Sequence, residues 1–149
     1  MITEVKIVWD YWYLHEHAHT FHEECGFCPY VTYGVYLNID ESTELNERVD
    51  EIRAKRGYLP CFDENGECDE IGWYEFHLNI AKWVGNTYRV WIYATPCYVV
   101  ADDNWGEYEV KLAKEEQAAI AASIDRQCRE ELEMTLDEML DEAEKFERR

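Results

Sequence analysis

Basic residues are missing from three long stretches of this chain. Between Ile7 and Glu47 stand eight acids and no Lys or Arg, between Gly57 and Ala81 six acids and no base, and nothing basic separates Arg129 from Lys145. With 33 acids against 14 bases, the formal net charge is -19. A field that negative repels nucleic acid and membrane surfaces and draws basic partners in. Direct nucleic-acid binding is therefore excluded from the expectations. Also absent is any run of about 18 apolar residues, the length that spans a bilayer. Met1-Ile2-Thr3-Glu4-Val5 shows no basic region leading into an apolar run, so no secretory signal is read and a cytoplasmic location is expected. Neither a phosphate-cradling glycine loop nor a nucleophile elbow occurs.

What is present is a folding composition. The chain has 149 residues, 47% hydrophobic and 15% aromatic, enough for one core without staples. One α+β domain over 1–149 is expected, with an antiparallel sheet of about five strands in 3–112 and a helical segment in 113–149. Thr3 to Leu14 alternates, with Val5, Ile7, Trp9, Tyr11 and Tyr13 on one face. A polar, His-rich connection follows, and Tyr30 to Ile39 is the second strand. Ser42 caps a short helix over Thr43–Lys55, with Glu44 and Glu47 at its positive end, Arg53, Lys55 and Arg56 at the other, and Gly57 as the stop. Leu45, Val49 and Ile52 form its apolar edge.

Gly72 to Val84 and Tyr88 to Val100 form the strongest hairpin, joined at Gly85-Asn86. Tyr74, Phe76, Leu78 and Ile80 face inward, against Val90, Ile92 and Ala94. Trp73, Trp83, Trp91 and Tyr93 fall on the opposite face and would form a satellite cluster or a binding surface. Pro96 bends or ends the second strand, and Glu107 to Leu112 alternates as the last. From Ala113 to Arg149 the period changes. Ile120, Ile124, Cys128, Leu132, Leu136, Leu140 and Ala143 draw an apolar stripe along a helix, which the sheet is expected to cover. Thr135-x-x-Glu138 matches a capping box with Met134 before it, so the segment reads either as one long helix or as a pair broken near Met134.

Six cysteines in a reducing compartment suit buried thiols or metal ligands better than disulfides. His19-x-x-His22-x-x-Cys25-x-x-Cys28 offers borderline-soft donors, and Cys61 with Cys68 flanks the Asn65-Gly66 turn. His22, Cys25, Cys28, Cys61 and Cys68 are thus candidate ligands of a structural zinc in an interaction module, although the second pair is wider than a zinc ribbon uses. His15, His17 and His19 share a face if extended and could hold a catalytic metal, the basis of a small metal-dependent enzyme reading. No further cofactor is expected.

The acid array carries the leading reading. On one helix, Glu130, Glu133, Asp137, Asp141 and Glu144 follow spacings of three and four, rising roughly 5–6 Å per step. That is comparable to the separation of phosphates along one nucleic-acid strand, so such a row could occupy a Lys/Arg groove and release its counterions. Asp63, Glu64, Glu67, Asp69 and Glu70 extend the acid surface, with Trp73 and Trp91 as candidate anchors. In size, net charge and acid-rich faces at Asp63–Glu75 and Glu130–Glu144, the chain resembles small acidic phage proteins that inhibit host defence, including DNA-mimic anti-CRISPR proteins. The resemblance implies a non-enzymatic inhibitor acting in the host cytoplasm. Its implied partner is a CRISPR effector nuclease, or another nucleic-acid-binding enzyme, bound where nucleic acid would lie.

Overall fold

The apolar face of the hairpin sets the architecture. In the computed structural model, which describes residues 1–9, 18–20, 33–58, 74–82, 87–96 and 107–147, five strands form one antiparallel sheet in chain order. They are β1 (Ala18–Thr20), β2 (Tyr33–Ile39), β3 (Tyr74–Lys82), β4 (Tyr88–Pro96) and β5 (Tyr108–Val110). Helix α1 (Thr43–Lys55) joins β2 to β3 along the chain, and α2 (Lys114–Leu132) and α3 (Leu136–Glu147) follow the sheet. Leu37, Leu78, Ile92 and Val110 lie opposite one another in a row across β2 to β5, and all four are buried. Each such side chain contributes roughly 1.5–3 kcal/mol on leaving water. Helix α2 packs on β4, and α3 packs on β1 and β2. The expected α+β class, an antiparallel sheet covered by C-terminal helices, is the one observed.

The stripe on those helices is the side that meets the sheet. Ile120, Ile124, Cys128, Leu136, Leu140 and Ala143 are buried, joined by Met139, and Leu132 packs partly buried against them. Between the two helices the chain breaks where the capping box lies. Glu133 turns left-handed at φ 55°, and the Met134 amide donates back to the Cys128 carbonyl at 3.4 Å. Thr135 Oγ1 then accepts from the Glu138 amide at 3.1 Å, while the Glu138 carboxylate accepts from the Thr135 amide at 3.1 Å. Each helix end thereby satisfies groups that one continuous helix would bond internally. The C-terminal segment is a pair.

Helix α1 has the expected limits. Ser42 Oγ accepts from the Leu45 amide at 3.3 Å, and Gly57 closes the far end at φ 86°, a conformation that favours glycine. Arg53 departs from its expected place at the solvated helix end. It is 1% exposed, and its guanidinium donates to the Tyr74 and Tyr108 hydroxyls at 3.2 and 3.3 Å.

Three further expectations change. In the alternating N-terminal segment, Val5 and Ile7 are buried and Val8 is exposed, as the pattern requires, yet within residues 1–9 only Ile7 bridges the sheet, opposite Ile39. Part of the supposed His-rich connection is itself strand, because Ala18–Thr20 pairs with β2 opposite Tyr33–Val35. Trp91, expected on an open sheet face, is 6% exposed, with the Arg89 guanidinium 4.6 Å from its ring centre. It is not a free anchor.

Candidate functional site

The helix break decides the geometry of the acid array. Glu130 and Glu133 end α2, whereas Asp137, Asp141 and Glu144 belong to α3, so the five do not form the single continuous stripe expected of one helix. Glu130 lines a groove with Glu4, Asp40 and Glu41, while Asp137 lines another with Tyr88, Asp125 and Thr135. Asp137 is already engaged, accepting from the Tyr88 hydroxyl and lying 3.3 Å from Lys82 Nζ. Glu144 is half-buried. Glu130, Glu133 and Asp141 are exposed and form no ion pair among the described residues. Three of the five therefore remain open to a partner.

Other predicted positions lie outside the described residues: Asp63, Glu64, Glu67, Asp69, Glu70 and Trp73, and the candidate ligands His15, His17, His22, Cys25, Cys28, Cys61 and Cys68. His19 is placed only by its backbone in β1. Among the described residues, no group of three His, Cys, Asp or Glu side chains could hold a metal ion. Cys128 is buried against Met139, with the sulfurs 3.6 Å apart, and burial first, then Asp125, pushes its thiol up to about 12. It is an unreactive core residue.

The tightest constellation is one that the acid count did not single out. Glu116, 4% exposed in the first turn of α2, accepts from Arg48 Nη1 at 3.1 Å and from Arg48 Nη2. It also accepts the backbone amides of Ile2 at 2.8 Å and Ala113 at 3.0 Å. Burial alone would raise this carboxyl; the Arg48 guanidinium and the two amides outweigh it and hold the group down at about 2. Farther along the same helix, Ser123 Oγ donates to the Val5 carbonyl at 3.2 Å, and Gln127 accepts from the Ile7 amide at 2.9 Å and donates to the Val5 carbonyl at 2.7 Å. On its other side the segment reaches β2, with the Val8 amide donating to the Asn38 carbonyl at 2.9 Å. Lys6 and Val8 thus bond to β2 and its exit, while Ile2, Val5 and Ile7 bond to side chains of α2. The available signal was three polar residues at helical spacing beside the apolar stripe.

On the second face of the sheet, His77 Nδ1 lies 2.9 Å from Asn38 Oδ1, and its ring stacks on Tyr36 at 4.7 Å. Glu75 approaches Nε2 at 3.7 Å. Burial, Glu107 and Glu75 together raise the Tyr36 hydroxyl well above its ordinary value, so it stays protonated. The imidazole is buried and oriented, but the groove that Asn38 and Glu75 line is not lined by His77. A structural, hydrogen-bonded histidine accounts for these contacts.

No helix among the described residues is long and apolar enough to cross a membrane. No protein-family model, curated protein or solved structure matches the chain.

Proposed function

We propose that this protein is a non-enzymatic acidic binder that occupies a basic, nucleic-acid-binding surface of a partner. The likeness to DNA-mimic inhibitors implies a CRISPR effector nuclease as the partner class, met in the cytoplasm. The observation that supports this reading is the surplus of carboxylates left after local pairing. Lys6, Lys82, Lys111, Arg126, Arg129 and Lys145 each lie within 3.5 Å of a carboxylate of their own chain. Glu130, Glu133 and Asp141 remain exposed beyond those pairs. Unneutralised like charges on one surface repel one another, and a cationic partner relieves that repulsion on binding.

The test is capture from a nuclease-treated cell lysate on the immobilised protein at about 0.05 M and about 0.5 M salt, on either side of physiological screening. Basic nucleic-acid-binding proteins are expected at low salt and should be lost at high salt. The folded variant with Glu130, Glu133, Asp137, Asp141 and Glu144 all changed to Gln should retain far less. Retention that ignores both salt and these substitutions would refute the reading.

A further inference from the structure

A groove shared by three separate parts of the chain offers more than a charged surface. One concavity of about 540 Å³ lies between the N-terminal segment, the β2–α1 turn and α2, and a second of about 350 Å³ lies between that turn and β3. Both are lined by Asp40 and Glu41, so the two adjoin along one acidic trough-shaped surface. Val5, Leu45, Ile39 and Phe76, all buried, are among the residues that line it. Its walls are acidic. Glu4 and Glu130 stand at one end and Glu75 at the other, and the second concavity is lined by three carboxylates and no base.

We propose that this trough is the docking groove for an extended Lys/Arg-rich segment of the partner, an assignment that rests on the reading above. Long basic side chains suit such a shape, because their stems cover apolar surface while their heads stay in water beside carboxylates. The trough already receives cations of that kind from its own chain. Lys6 Nζ lies 3.5 Å from Asp40 and Arg126 3.5 Å from Glu4. With 80% and 55% of those basic side chains exposed, both contacts are weakly held and open to exchange. A chelated metal ion fits less well, since no three acids among the described residues converge on one point. Helix capping does not account for the acids either. Ser42 caps α1, and Glu44 in its first turn is taken by the Met1 ammonium and Arg48. Glu75, on β3 and 64% exposed, belongs to no helix end.

Fluorescence anisotropy with a labelled oligoarginine peptide at low salt tests the assignment. The double variant E41Q/E75Q should bind about tenfold more weakly than the unaltered protein, the combined loss of two or more contacts of about 0.5–1 kcal/mol each. E51Q/E115Q, which removes the same net charge from exposed positions of α1 and α2 that line neither concavity, should stay within about twofold. R126Q, which frees Glu4, should bind about twofold more tightly. Thermal melts of each variant establish that it is folded. Equal weakening by the two double variants, or R126Q binding no tighter, overturns the trough while leaving a general acidic binder. A protein that fails to bind the peptide at any salt overturns the broader reading as well.

Discussion

Glu116 and Glu130 are the same residue type on the same helix, and their surroundings give them opposite roles. Glu116 is 4% exposed and holds Arg48 and the amides of Ile2 and Ala113, tying the N-terminal segment, α1 and α2 together. Glu130 is exposed, makes no ion pair among the described residues, and lines an open groove. A carboxylate stabilises a fold when its hydrogen bonds outweigh its desolvation, and otherwise serves only the field outside. Net charge alone does not separate these cases.

The contrast can be broken most strongly at Glu116. Glu116→Gln should destabilise the protein by on the order of 2 kcal/mol, because the buried carboxylate's charge-assisted bonds to Arg48 and to the Ile2 and Ala113 amides are weakened, while Glu44 still pairs with Arg48. Glu130→Gln should stay within about 0.5 kcal/mol in the same chemical denaturation experiment. The pH dependence carries the same distinction. The Glu116 carboxyl is depressed from 4.5 to about 2 in the folded protein. Its contribution is therefore complete above about pH 4.5 and fades as pH falls toward 2, when the folded state must take up the proton. Stability of the Glu116→Gln variant should be flatter across that window.

A smaller effect sharpens the contrast at the break between helices. Thr135→Ala removes the acceptor for the Glu138 amide and should cost about 1 kcal/mol, read as a lowered thermal midpoint. Asp125 stands beside this cap. Its own burial would raise it, yet the Leu136 amide at 2.9 Å and Arg129 keep it below its ordinary range. The smallest effect has the opposite sign. Glu133→Gly relieves a left-handed backbone at φ 55° and should stabilise the protein by about 0.5 kcal/mol. A loss of stability there would show that the Glu133 side chain makes an essential contact.

Much of the fold was legible because it depends on short-range rules. Alternation placed Phe76, Leu78 and Ile80 inward, the Ser42 and Gly57 signals set the ends of α1, and Thr135 with Glu138 marked the break. The candidate site was less legible. Helical spacing put Glu130 and Asp137 on one stripe, but the break between them sends the two carboxylates to different grooves. Trp91 was correctly placed opposite Ile92, yet periodicity says nothing about whether the second face of a sheet is covered. Arg53 looked like a helix-end cation and became a buried partner of two tyrosines, which lie on strands distant in sequence.

By itself the sequence determined the acid excess, the limits of α1, the order of α1, β3 and β4, and the faces of those elements that turn inward. Hydrophobic period and capping chemistry act over a few residues, so they can be read one segment at a time. Only the tertiary structure decided that Glu116 would be a buried link and that Glu4, Asp40, Glu41, Glu75 and Glu130 would line two adjoining concavities. Those groupings join residues from opposite ends of the chain, and the reason is packing: the helix pair on the sheet brings the N-terminal segment beside α2.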